Sequence, residues 1–150
     1  MSALPPVEKR IEVALDVEAA FDLFTRQMRR WWPLATHACG EGGGEDVRFE
    51  EHVGGRVLET GKDGKEHVWG TLTAWAPPHH FAMTWHPTRP VEQATQVSVC
   101  FEALPDGGCA LLLWHGGWEA AGEQAAAMHE GYEGGWVGVL ALFQQAAQAA

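Results

Sequence analysis

The chain opens on an alternation. Val7, Lys9, Ile11, Val13 and Leu15 take every second place, with Glu8, Arg10, Glu12 and Ala14 between them. A period of two predicts a strand with one buried face, Lys9 lying at its frayed edge. The period then changes. Asp16 suits an N-cap, and Val17, Ala20, Phe21 and Phe24 recur at helical spacing. A second short helix is predicted over Gln27 to Trp32, stopping where Pro33 bars the helical region to the residue before it. Ala38 to Glu45 contains Cys39-Gly40-Glu41-Gly42-Gly43-Gly44 and reads as a mobile loop.

From Val47 to His115 the pattern is a meander. Strands are predicted at Val47–Val53, Arg56–Thr60, Lys65–Trp75, Phe81–His86, Thr95–Leu104 and Cys109–His115. The separators have turn chemistry: Gly54-Gly55, Lys62-Asp63-Gly64, Pro77-Pro78, Pro87 to Pro90, and Pro105-Asp106-Gly107-Gly108. Such strands argue for an antiparallel sheet. The last element runs from about Ala120 to Gln148. Met128, Tyr132, Trp136, Val139, Leu140 and Phe143 form one apolar stripe on it. Gly131, Gly134, Gly135 and Gly138 are costly there, about 1 kcal/mol each against Ala. They allow close packing on the sheet, room for a ligand, or a kink. The element order is β-α-α-β6-α, an α+β arrangement, expected to be a single domain over 1–150.

Three face sets follow from the strand period. Phe81, Met83 and Trp85 share a face, as do Val97, Val99 and Phe101, and Leu111, Leu113 and His115. They are expected to line the concave side of the sheet, with Met128, Tyr132 and Trp136 meeting them from the long helix. The cavity expected there draws its walls from Trp32, Trp69, Phe81, Met83, Trp85, Val99, Phe101, Leu113, His115, Trp118, Met128, Tyr132 and Trp136. Its polar candidates are Glu50, Arg56, His115 and Tyr132. His115 is read at the sheet edge as an acid–base group at the pocket mouth, against the alternative of a histidine satisfied by backbone or solvent. Glu50 and Arg56 read more readily as a structural pair across the Gly54-Gly55 turn.

Composition narrows the classes. Eight Trp against one Tyr suit the walls of a cavity, or simply a core. The net charge of −10 leaves only Lys9-Arg10 and Arg26, Arg29 and Arg30 as basic clusters, which disfavours nucleic acid and anionic membrane as partners. No apolar run approaches the roughly 18–20 residues of a membrane span. Met1 to Pro6 lacks the features of a secretory signal, so a cytoplasmic location is expected. A register pairing Leu104 with Cys109 sets Cys100 opposite Leu113, too far for a disulfide, and Cys39, Cys100 and Cys109 are read as free thiols.

The ordered set of motifs is similar to the bacterial branch of the Hsp90-ATPase-activator-like family, within the START-like (helix-grip, SRPBCC) superfamily. Trp31-Trp32-Pro33, Phe49-Glu50 through Gly54-Gly55-Arg56, Trp69-Gly70, Trp75, Pro77-Pro78, Thr84-Trp85, His115, Gly117-Trp118 and Tyr132 to Trp136 carry it. The resemblance implies a curved antiparallel sheet gripping a C-terminal helix around a cavity. It leaves the oligomeric state open, although members of this fold often pair into homodimers through exposed strand or helix surfaces. The eukaryotic activators add a separate N-terminal chaperone-binding domain, for which 150 residues leave no room, so direct Hsp90 activation does not follow.

Other chemistry finds little footing. His37-Ala38-Cys39 and His79-His80 have no partners at zinc spacing, and no metal or cofactor is expected. Ser2 and Ser98, the only serines, lie in no nucleophile turn. Three readings remain. The first is a protein that binds a small hydrophobic or aromatic ligand without catalysis. The second is an enzyme of the cyclase, aromatase or hydrolase kind, using His115, Tyr132 or Glu50 to move protons. The third is a stress-response protein contacting a chaperone.

Overall fold

A computed structural model of the chain describes residues 4–149. Ser2, the first three residues of the Met1–Pro6 stretch and the terminal Ala150 lie outside the described residues. The strands are β1 (Val7–Val13), β2 (Gly44–Phe49), β3 (Arg56–Gly61), β4 (Glu66–Ala76), β5 (His80–Trp85), β6 (Thr95–Ala103) and β7 (Cys109–Gly116). The helices are α1 (Val17–Phe24) and α2 (Ala125–Ala149), the latter entered through a 3-10 turn at Trp118–Gln124. All seven strands form one antiparallel sheet in the order β1-β7-β6-β5-β4-β3-β2. Together with α2 this is the curled sheet and long helix of the helix-grip fold.

Local chemistry explains the boundaries. Asp16 Oδ1 accepts the Ala19 N–H at 2.8 Å, so α1 starts on the predicted cap. The predicted second helix shrinks to a 3-10 turn at Met28–Arg30. The two indoles that follow are drawn inward: Trp31 donates to the Leu23 carbonyl and Trp32 to the His37 carbonyl, each at 2.8 Å. Burying two neighbouring indoles against different partners leaves no regular helix to propagate. Lys9 is not frayed either. It turns to the helix side and meets Glu133 of α2 at 3.0 Å.

The glycine-rich segment is a tethered strap rather than a mobile loop. Cys39 and Gly40 donate their backbone N–H groups to the Glu59 carboxylate at 2.6 and 2.8 Å, and Glu41 donates to Asp63 at 3.2 Å. β2 accordingly begins at Gly44, three residues before the predicted start, while its end at Phe49 falls short of Val53. The Glu50 side chain ends it by turning back to the Arg56 N–H at 2.8 Å.

Sheet register sets the concave face. Phe81 pairs with Val99, Val99 with Leu113, and Val97 with both Met83 and His115. The three predicted face sets therefore coincide. Around the last hairpin the register differs by one from expectation: Ala103, not Leu104, pairs with Cys109, and Cys100 faces Leu112. The three cysteines remain free. Gly70 marks a close approach of β4 to β5, since a Cβ there would lie 1.7 Å from the Thr84 carbonyl oxygen.

The core is aromatic. Phe21, Phe24, Phe81, Phe101 and Phe143 are each at most 2 % exposed, so α1, the sheet and α2 meet through rings. Phe24 lies 5.2 Å from Phe143 and 5.7 Å from Phe81 by centroids, which ties both helices to the sheet. No helix among the described residues is long and apolar enough to cross a membrane.

Candidate ligand pocket

A pocket of about 390 Å³ opens beside α2. Its floor comes from the sheet side, through Trp69 of β4, Trp85 of β5 and Trp32. Its roof is one face of α2: Met128, Gly131, Tyr132, Gly135, Trp136 and Val139. These recur at spacings of three and one, the rhythm of a single helical face. Two loops supply the rims, Thr36-His37-Ala38 on one side and Pro87-Thr88 on the other.

The four indoles form a continuous aromatic surface. Trp32 lies 5.1 Å from Trp69, 6.1 Å from Trp85 and 6.0 Å from Trp136, and Trp85 lies 5.5 Å from Trp136. Their N–H groups are spent inside the walls. Trp32 gives to the His37 carbonyl at 2.8 Å, Trp69 to Glu59 at 2.9 Å, Trp85 to the Tyr132 hydroxyl at 2.9 Å and Trp136 to His115 Nδ1 at 3.0 Å. What remains toward the pocket is ring surface, suited to another flat π system. The Tyr132 hydroxyl uses a lone pair on Trp85 and keeps its own proton. Burial raises its pKa, so it stays a donor.

Glycines open the roof. A Cβ at Gly131, Gly134, Gly135 or Gly138 would meet nothing within 4 Å. Close packing on the sheet is therefore not their role. Gly131 and Gly135 leave the roof bare over the pocket, while Gly134 and Gly138 face outward.

Of the expected wall residues, Trp32, Trp69, Trp85, Met128, Tyr132 and Trp136 meet at this pocket. Phe81, Met83 and Val99 lie deeper, around a void of only about 10 Å³. Phe101 and Leu113 are core. The space beneath the helix is thus filled by side chains except at the Trp-walled end.

His115 corrects expectation most clearly. β1 pairs with β7, so β7 is no edge strand, and His115 is 0 % exposed. It sits behind the roof. Trp136 donates to its Nδ1, which fixes the proton on Nε2, donated to Thr95 Oγ1 at 2.7 Å. Thr95 in turn donates to the Trp85 carbonyl at 3.2 Å. This relay accepts only a neutral ring. Burial, with His129 adding to it, depresses the His115 pKa to about 3. Trp118 stacks on it at 4.4 Å and is likewise buried, outside the pocket. Trp118 Nε1 and His129 Nε2 are buried without a partner among the described residues.

Glu50 and Arg56 are also away from the pocket. They form an ion pair of 3.0 Å on the surface, where the guanidinium holds the Glu50 carboxyl down to about 2. No cluster of three metal-ligating side chains occurs among the described residues.

One buried acid escapes sequence reasoning. Glu59 is 0 % exposed and accepts from Cys39 N, Gly40 N and Trp69 Nε1. It joins a floor indole to the strap that follows the His37 rim. Its position between two strand residues of ordinary pattern gives no signal. His37, Thr36, Pro87 and Thr88 are loop residues whose meeting depends on the fold, although Pro87 and the roof glycines were visible as unusual composition.

Comparison with known proteins agrees with the architecture. A solved structure described as the anthrahydroquino-gamma-pyrone synthase Txn09, complexed with a ligand designated SUM, is 33% identical over 97% of this chain and 99% of its own, with a TM-score of 0.66. The Aha1 dimer from Colwellia psychrerythraea is 16% identical over 96% of each chain, with a TM-score of 0.68. CalU16 from Micromonospora echinospora is 17% identical, covering 95% of this chain and 75% of its own at a TM-score of 0.66. These last two share the fold. A comparison with curated proteins finds no match. Matched by the family model over residues 14–146, the chain belongs to the Activator of Hsp90 ATPase homolog 1-like proteins.

Proposed function

We propose that the chain binds a planar aromatic small molecule, of the polyketide-derived kind, in the Trp-walled pocket. One observation carries this reading: every pocket indole spends its N–H within the wall, so between the helix and the sheet the cavity offers π faces and the Tyr132 hydroxyl as a donor. A flat ring system slides between such faces, and a ring carbonyl takes the Tyr132 proton. The volume of about 390 Å³ falls within the ordinary range of small-molecule sites.

Titration of indole fluorescence with 1,8-dihydroxyanthraquinone tests it, with a linear alcohol of equal carbon count as comparison. Saturable quenching at one molecule per chain by the tricycle alone is expected. Equal competition by the linear alcohol, or no saturation, would overturn the reading.

A catalytic version is favoured by the 33% identity to Txn09, a γ-pyrone synthase by its description. In a hydroxyaryl 1,3-diketone the phenol oxygen attacks the distal carbonyl, a C–O bond forms, and water leaves to give the γ-pyrone. The pocket holds the two ends together. Tyr132 donates to the attacked carbonyl oxygen. His37, on the rim and hydrogen-bonded through Nδ1 to Thr36 at 2.8 Å, exchanges protons with the phenol and the departing water. Ring closure of such a diketone followed by absorbance is the assay. Acceleration by the wild type that Tyr132→Phe and His37→Gln both diminish supports this version. Wild-type rates equal to buffer sink it and leave binding standing.

A further inference from the structure

Acidic residues outnumber basic ones 20 to 10 in this chain. Six of its ten Lys and Arg side chains pair with a carboxylate: Lys9 with Glu133, Arg10 with Glu12, Arg26 with Glu51, Arg29 with Asp46, Arg48 with Glu66 and Arg56 with Glu50. Arg89 is different. Its Nη1 donates to Gln93 Oε1 at 3.1 Å and to Gln124 Oε1, both neutral amides. Two contacts hold the guanidinium in place without cancelling its charge. Its Nε and Nη2 meet no protein acceptor among the described residues.

Arg89 stands just outside the pocket lining, next to its rim. Arg89 directly follows the rim residues Pro87 and Thr88. Thr88 has a φ of 64°, a backbone region that a β-branched residue seldom adopts. Gln124 immediately precedes α2, whose first turns carry Met128, Gly131 and Tyr132. Arg89 thus bridges the loop rim to the start of the roof. Its charge is felt at Tyr132, where it works against the upward push of burial on the hydroxyl pKa. Among the described residues, none of those lining the pocket carries a carboxylate.

We infer that Arg89 is a specificity residue, selecting aromatic ligands that carry an anionic oxygen, a carboxylate or phenolate, on one edge. The rings lie among the indoles and the anionic edge points outward to the free N–H groups of Nε and Nη2, a fork that matches a carboxylate. This rests on the pocket reading above and narrows its ligand class. The net charge of −10 repels anions at long range, so any preference for one must come from this local cation.

Anthraquinone-2-carboxylate and its neutral isostere anthraquinone-2-carboxamide provide the test, by calorimetric titration of the full chain. The wild type is expected to bind the carboxylate about tenfold more tightly, a ratio that shrinks as salt is added. In Arg89→Gln the ratio falls to near one; Arg89→Lys, which keeps charge but loses the fork, retains part of it. A wild-type ratio near one overturns the inference while leaving the pocket reading intact, and so does a ratio that persists in Arg89→Gln. Binding of neither compound overturns both. Should Arg89→Gln not fold, the wild-type ratio and its salt dependence still decide.

Discussion

The buried carboxylate of Glu59 takes the indole N–H of Trp69 at 2.9 Å, and the same oxygen takes the backbone N–H of Cys39 at 2.6 Å. One side chain thereby sets the pocket floor and anchors the strap behind the pocket rim. It forms no ion pair among the described residues; three N–H donors do the work of solvation. Glu59→Ala strands all three donors, and a loss of about 3–5 kcal/mol in urea unfolding is expected. Glu59→Gln, which keeps one acceptor oxygen but turns an NH₂ toward N–H groups, should also lose stability. An alanine variant within about 1 kcal/mol of wild type would mean that water replaces the carboxylate readily.

His115 makes stability depend on pH in a defined window. Its folded pKa of about 3 lies below the ordinary 6.5. Between those values the unfolded chain binds a proton that the folded chain refuses, so stability is lost as pH falls from 6.5 toward 3. The slope from this group is at most about 1.4 kcal/mol per pH unit. His115→Gln keeps hydrogen-bonding capacity and cannot titrate. Urea unfolding at a series of pH values should show a shallower decline for the variant; parallel curves would contradict a neutral relay from Trp136 to Thr95.

The Trp85–Tyr132 bond links a strand to the helix that roofs the pocket. Tyr132→Phe leaves the Trp85 N–H without its acceptor and removes the hydroxyl that the helix contributes to the pocket. A stability loss of about 1–2 kcal/mol is expected from thermal unfolding. Affinity for a quinone should fall, and affinity for a carbonyl-free tricycle such as anthracene should fall less. Equal losses for both ligands would assign the hydroxyl to architecture alone.

Much of this fold is readable from periodicity. The alternation in Phe81, Met83 and Trp85 and in Val97, Val99 and Phe101 predicts the concave face, and the observed pairings match it. His115 was misplaced because nothing local says that the first strand returns to cover the last; the β1–β7 pairing joins residues about a hundred positions apart in sequence. Glu59 was invisible for a related reason. A strand glutamate is ordinarily solvated, and its burial follows from two backbone N–H groups of a loop whose glycines suggested freedom. Cavity and core were also indistinguishable at sequence level, since Phe81 and Trp85 share one face and period. Only packing decides that Phe81 is enclosed while Trp85 borders open space.

The glycines of α2 separate pocket from scaffold in one experiment. Gly134 and Gly138 lie outside the pocket, and a Cβ on either meets nothing within 4 Å. Gly134→Ala and Gly138→Ala should each raise stability by about 1 kcal/mol, through helix propensity and loss of unfolded-state freedom, with ligand binding unchanged. Gly135 has the same free surroundings but faces the pocket. Gly135→Leu gains the same helical preference and sends an isobutyl group into the space between the indoles. It should be at least as stable as wild type and should bind the anthraquinone at least tenfold more weakly. A stable Gly135→Leu protein with wild-type affinity would remove the ligand from this pocket, because the new side chain fills the space between the indoles while favouring the helix.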